Sequence, residues 1–395
     1  MPNGVRLPVG QHLKKGRNDV TGRLHKVCQL GRNGFGHVLH IGSFVLFALT
    51  ACQGNEADEP ISPTEAGTPI TFSGALKDAE SIERIRPRTV GSLHDYAVSA
   101  FRVYGYKNDA YAAGSYTSSQ EVMNAYNVRW QNGRTTTNSD GWEYLDDGQY
   151  VKYWDYAAHA YRFFGFAPST AAVTPTVTSH TAAGKTIDDE VSFSLTVNAE
   201  DESAVPYVSK LWFSTGNAID YPDRLFGRTV KLEFMKPLAR VRILFIYPEG
   251  NPLYSRAVLS NVRFAPIAAG EKIAKQGTVR ISYPLTGIAT TESWTSTPAA
   301  AGSIEAITED YQAGVSEVWH TVLPRTSQGA YKLSVDVFAD TRTATVPAEY
   351  MTWQPGYEYT YVFKVTEDNL YLQVVQTAVR NWTTVATDPH ELYNW

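Results

Sequence analysis

Cysteine is nearly absent, with Cys28 and Cys52 the only two in 395 residues. No disulfide framework and no cysteine-rich metal site can be built from them, so stability has to come from buried cores. Methionine is almost as scarce, at four residues. Sustained 3.6-residue periodicity is missing, which argues against helices as the main structure. No apolar run reaches the ~20 residues that a membrane span requires. Basic charge is in deficit, with 35 Lys and Arg against 40 Asp and Glu.

Signatures of catalysis are missing too. His94, His159, His180, His320 and His390 are scattered, with no metal-ligand spacing among them. Gly184-Lys185-Thr186 matches the end of a phosphate loop, but Ser179 stands where the first glycine belongs and a strand pattern follows. Asp146-Asp147-Gly148 and Asp188-Asp189-Glu190 lack the alternating oxygen spacing of a calcium loop and read as hairpin turns. There is no Gly-x-Ser-x-Gly nucleophile elbow, and nothing singles out a pair of carboxylates for glycoside hydrolysis. A protein that is not an enzyme, without cofactor or metal, is the expectation.

What is present begins with the apolar run from Val38 to Cys52, followed at once by the polar Gln53-Gly54-Asn55-Glu56. The run has the length of a signal-peptide core, with basic residues upstream and small ones at its end. Leu49-Thr50-Ala51-Cys52 resembles the lipobox of bacterial lipoproteins, in which the cysteine thiol is acylated and becomes the new N-terminus. Residues 1–51 therefore read as a signal peptide with an over-long n-region, for which Val27 or Leu30 offers a later start. With Cys28 removed and Cys52 lipidated, the mature protein has no disulfide. Residues 52–69, rich in Pro, Glu and Gly, read as a lipidated flexible tether. Without residues 1–51, which hold seven basic and one acidic residue, 28 basic residues face 39 acidic ones, a net of −11. Such an acidic body argues against nucleic acid as a partner.

The body reads as strands. Ile70, Phe72, Gly74 and Leu76 alternate with Thr71, Ser73 and Ala75, the pattern of a half-buried strand. The charged stretch from Lys77 to Arg88 reads as an exposed loop. Further strands are expected at 95–106, 125–130, 142–153, 160–166, 191–197 and 207–214, with Thr-rich connecting sequence before 191. A break at 216–228, with Asn217, Asp220, Pro222 and Gly227, suggests a boundary. Beyond it, strands are expected at 231–234, 239–246, 257–264, 278–283, 318–323, 331–338 and 369–379. Pro237 lies between the first two of these and suggests an edge or bulge. Trp353-Gln354-Pro355-Gly356 is a type II turn signature, after which Tyr357, Tyr359, Tyr361, Phe363 and Val365 share one face. Turn signals between short strands make this an all-β chain of two tandem β-sandwich domains, 70–225 and 226–395, of about seven strands each.

These features together resemble the fimbrillins of Bacteroidales, the type V pilus subunits. The likeness runs from about Ile70 to Trp395. It rests on the lipobox, the tether, the two sandwiches, Tyr153-Trp154 to Phe166, Leu232 to Phe245, the Trp353-to-Tyr357 turn and a last strand closing in Trp382. The resemblance implies transthyretin-like sandwiches and export as an outer-membrane lipoprotein anchored through Cys52. It further implies trypsin-like proteolysis at the cell surface, and strand exchange with other fimbrial subunits, self or related, in an extracellular fimbria that supports adhesion. Carried onto this sequence, the cleaved loop is the one holding Arg84, Arg86 and Arg88. Arg86-Pro87 resists trypsin-like enzymes, leaving Arg84-Ile85 and Arg88-Thr89. The displaced strand is the one with Ile70, Phe72 and Leu76. The donor is the tail after Trp382, with Val385 on its face and Leu392, Tyr393 and Trp395 as late anchors, interrupted by Pro389. The alternative is a lipid-anchored glycan-binding surface protein that does not polymerise and holds sugars on Trp130, Trp142 or Trp154.

Overall fold

The computed structural model describes residues 67–76, 93, 98–131, 141–144, 146–215, 225–246, 259–309, 319–326, 329–337, 340–365, 370–371 and 380–381. No α-helix occurs among the described residues, and none of their helices is long and apolar enough to cross a membrane. The all-β sandwich class expected from the alternation is what the chain adopts.

The first half supplies β1 (Phe72–Leu76), β2 (Ala100–Asn108), the small hairpin β3 (Tyr111–Ala112) and β4 (Ser115–Tyr116), β5 (Gln120–Trp130) and β6 (Trp142–Glu143). It continues with β7 (Ala160–Ala167), β8 (Pro175–Ala182), β9 (Lys185–Asn198), β10 (Tyr207–Ser209), β11 (Trp212–Thr215) and β12 (Val230–Met235). An eight-stranded sheet runs β1-β12-β10-β7-β2-β5-β6, with β11 also paired to β7. Both faces of this sheet are covered, so the central β7 is buried at every one of its eight positions and shows no period of two. One face carries Phe101, Val103, Phe163, Leu232 and Phe234 into a core that the sheet curls around, its end strands β1 and β6 touching. The other face, with Tyr104, Phe164 and Phe166, packs on Val191, Phe193, Val279 and Ile281 of a second sheet.

The rest of the chain supplies β13 (Ala239–Ile246), β14 (Leu259–Pro266), β15 (Ile273–Ala274), β16 (Gln276–Pro284), β17 (Ser293–Pro298), β18 (Ser303–Ile304) and β19 (Ile307–Glu309). It ends with β20 (Trp319–Val322), β21 (Tyr331–Val337), β22 (Asp340–Val346), β23 (Tyr357–Val365), β24 (Leu370–Tyr371) and β25 (Arg380–Asn381). The second sandwich pairs the sheet β20-β13-β23-β24, joined by β25, with the sheet β19-β14-β21-β22. Val241, Ile243, Phe264, Leu333, Tyr361 and Phe363 fill its core.

The expected division at 225/226 is corrected by strand pairing. β12, beyond that point, completes the first sheet between β1 and β10, and β16 and β17 return to the first sandwich to form the sheet β17-β16-β9-β8. The first sandwich therefore holds an eight-stranded and a four-stranded sheet, more than the seven strands expected. β8 and β17 were missed because they are exposed edge strands of Thr, Ser and Pro, without apolar alternation. Among the described residues of 142–153 only Trp142–Glu143 form a strand, with Tyr153 in an isolated bridge to Pro69. The hairpin turn joining β8 to β9 falls at Ala183 and Gly184, whose φ values are 50° and 74°, so Lys185 opens a strand and no phosphate loop exists there. Asp188-Asp189-Glu190 lie within β9, not in a turn, whereas Asp146-Asp147-Gly148 do form one. Pro237 ends β12 before β13 begins, and Gly356 sits at φ 77° as the type II turn requires.

Candidate functional site

The site is β1 and what holds it. Its sequence alternates Phe72, Gly74 and Leu76 inward with Ser73 and Ala75 half-buried, and Ile70 just before it is fully buried. β1 runs parallel to β12, in the register Phe72 to Val230, Gly74 to Leu232 and Leu76 to Phe234. Strand β12 has an ordinary half-buried alternation, with Val230, Leu232 and Phe234 in and Lys231 and Glu233 out. At five residues, β1 is short and lies at the end of the sheet order.

Its lead-in is clamped on the opposite side by the segment from Tyr144 to Tyr156. The Ile70 N–H donates to the Lys152 carbonyl at 2.7 Å and the Trp154 N–H to the Thr68 carbonyl at 2.9 Å. The Tyr144 hydroxyl donates to the Ile70 carbonyl at 2.6 Å, and the Tyr156 hydroxyl bonds Thr68 Oγ1 at 3.2 Å. Burial pushes the Tyr144 phenol well above its ordinary pKa, so it remains a donor across the neutral range.

Inside, the pockets differ along the strand. Phe72 meets Tyr144 and Phe163 edge-on, at centroid distances of 5.7 and 5.5 Å. At Gly74 there is no room: a Cβ would lie 2.9 Å from Phe101 Cε1 and 3.3 Å from Leu93 Cδ2. The Phe101 ring is itself held by Trp142 at 4.8 Å and Phe234 at 5.2 Å. Chemically the site is a row of main-chain donors and acceptors on β12 beside apolar pockets, suited to holding an extended strand.

The displaced-strand residues Ile70, Phe72 and Leu76 are brought together in one core. Cys52, Arg84, Arg86, Arg88, Val385, Leu392, Tyr393 and Trp395 lie outside the described residues. The tryptophans read as a glycan platform do not form one. Trp142 and Trp154 are buried, packed on Phe101 and Tyr161 respectively, and Trp130 is half-buried against Trp142. Among the described residues no group of three or more His, Cys, Asp or Glu is placed to hold a metal. Sequence reasoning missed β12 as the partner of β1, 158 residues beyond it, and missed the Tyr144–Tyr156 clamp. In sequence the buried Tyr144, two residues after Trp142, carries no signal beyond that of a strand residue.

No family model matches the chain, and no curated protein matches it. Solved structures do. A candidate cell adhesion protein from Bacteroides uniformis is 14% identical, over 80% of this chain and 98% of its own, with a TM-score of 0.37. A candidate cell adhesion protein from Bacteroides ovatus is also 14% identical, over 82% of this chain and 100% of its own, with a TM-score of 0.37. A fimbrial assembly protein from Parabacteroides distasonis is 8% identical, over 76% of this chain and 93% of its own, with a TM-score of 0.28. Likenesses at this level decide nothing about the role of this chain.

Proposed function

We propose that this chain is a non-catalytic subunit of a cell-surface fimbria. It is exported as a lipoprotein through Cys52, cut by a trypsin-like protease at Arg84 or Arg88, and joined to other subunits by an extended strand that takes the place of β1. The single observation that carries the reading is the position of β1, a five-residue strand at the end of its sheet, paired in parallel with β12 alone among the described strands. Cleavage after β1 cuts its covalent link to the body without cutting any other described strand. Loss of β1 uncovers the outer edge of β12, and an unpaired edge beside apolar pockets is a template for another strand. Three buried side chains, Ile70, Phe72 and Leu76, at ~1.5–3 kcal/mol each, make a replacement strand a durable joint. The tail beyond Trp382 is the segment proposed to serve as a donor to a neighbouring subunit.

Limited trypsin treatment of the purified full chain, followed by N-terminal sequencing and gels run with and without heating, tests the reading. A single early cut exposing Ile85 or Thr89, followed by heat-sensitive ladders when related subunits are present, is expected. A chain cut there that keeps β1 bound and never enters a larger assembly would falsify the reading.

A further inference from the structure

The row of pockets beneath β1 is open at Ile70, Phe72 and Leu76 and closed at Gly74. Closure is firm because the obstructing atom is not the tip of a flexible side chain. Phe101 is fully buried on β2, itself paired on both sides by β5 and β7, with its ring fixed between Trp142 and Phe234. Glycine in the middle of a strand weakens it, so its presence needs a reason, and close approach of another group is the usual one.

We propose that this groove selects its occupant by the closed position. It takes an extended strand with glycine flanked, two residues away on either side, by one large apolar and one aliphatic side chain, and it rejects the tail of this chain, so the occupant in an assembly is a strand of that pattern from another subunit and not the tail of an identical copy. The proposal rests on the strand-replacement reading above. It follows from the pocket order whichever way the incoming strand runs, because the closed position has an apolar pocket on each side. From Tyr357 to Trp395 there is no glycine. The same span has two alanines. Ala378 is flanked two residues away by Gln376 and Arg380, and Ala386 by Thr384 and Asp388. Seating either at the closed position forces an amide and a guanidinium, or a hydroxyl and a carboxylate, into the pockets of Phe72 and Leu76, where unpaired polar groups are costly. Placing Trp382 in the Phe72 pocket instead puts Thr384 or Arg380 against the Phe101 ring. No register of the tail satisfies the groove, and a filament of identical copies joined tail to groove is excluded.

Two measurements test this. In the intact full chain, Gly74→Ala is compared with wild type by chemical denaturation. A folding equilibrium constant at least tenfold lower is expected, although Gly→Ala in an unobstructed strand is ordinarily neutral or favourable; equal or greater stability overturns the closed pocket. In the second, the trypsin-cut full chain is offered labelled peptides of residues 68–77, the same peptide with Gly74→Ala, and residues 380–395. The first should bind, the second at least tenfold more weakly, and the third should not compete. A tail peptide that binds as well as 68–77 overturns the selectivity while leaving strand replacement standing. Failure of every peptide, 68–77 included, overturns strand replacement and this proposal together.

Discussion

Tyr144 donates its hydroxyl hydrogen to the Ile70 carbonyl at 2.6 Å while its ring packs edge-on against Phe72, so one buried side chain holds both the backbone and the first large anchor of β1. Changing Tyr144→Phe keeps the ring and removes the hydrogen bond. The Ile70 carbonyl loses a buried donor, and a cost of about 1–2 kcal/mol is expected. Amide hydrogen exchange of residues 70–76 should quicken while that of the second sandwich stays unchanged. Unaltered exchange in β1 would mean that the hydroxyl does not restrain it.

The apolar anchor should matter more than the hydrogen bond. Phe72 is fully buried between Tyr144 and Phe163, and Phe72→Ala leaves a cavity that those two rings cannot close by themselves. A loss of about 3–5 kcal/mol is expected. If β1 is the exchangeable strand, this variant should bind the 68–77 peptide without prior cleavage, read by fluorescence anisotropy. Destabilisation without any such binding would make β1 an ordinary core strand.

How much of this was legible in the residues depended on which faces they present. β1 and β12 could be read because each buries one face and wets the other, giving a period of two. β7 has no such period, since it is buried on both sides, and its run of aromatics is the local strand signal it carries. β8 and β17 were invisible for the opposite reason, their Thr and Ser side chains facing solvent almost throughout. The parallel pairing of β1 with β12, and the return of β16 to the first sandwich, join residues far apart in sequence. No local signal encodes which distant strand a short ribbon will join. Gly74 was legible as an inward position of β1, but its meaning depends on Phe101, which no spacing rule links to it.

The two sandwiches share a junction that should make them unfold together. Glu202, between β9 and β10, accepts from Arg240 of β13 at 2.6 Å and from the Thr321 hydroxyl of β20. Arg240 also reaches Glu358 of β23 at 3.3 Å. Leu238 and Leu323 are buried in the same core as Val197 and Val205. Calorimetry of the full chain should therefore show one transition over both sandwiches. Glu202→Ala removes two charge-assisted hydrogen bonds from this junction and should cost about 2–3 kcal/mol. Two separate wild-type transitions would show that the junction does not couple the halves.

Alkaline pH should act on stability in two opposed steps. Lys236 donates to the carbonyls of Glu202 and Val205, and burial pushes its pKa down to about 8. An unfolded lysine titrates near ~10.4, so between pH 8 and that value the unfolded chain holds more protons and stability rises with pH. The buried tyrosines work in the other direction. Tyr283, which donates to the Ser209 carbonyl at 2.6 Å, Tyr361, which donates to the Tyr350 carbonyl at 2.7 Å, and Tyr144 are all held above their ordinary pKa by burial, and Tyr359 is pushed up to about 12. Unfolded tyrosines lose their proton near ~10 while these keep theirs, so their contribution is complete below that pH and drains away above it. Several tyrosines outweigh one lysine. Urea midpoints measured from pH 7 to 11, with tyrosinate absorbance as a second readout, should show a shallow gain above pH 8 and a steep fall above 10. Lys236→Met should flatten the gain and spare the fall, whereas a midpoint declining steadily from pH 8 in the wild type would show that Lys236 keeps its proton in the folded chain.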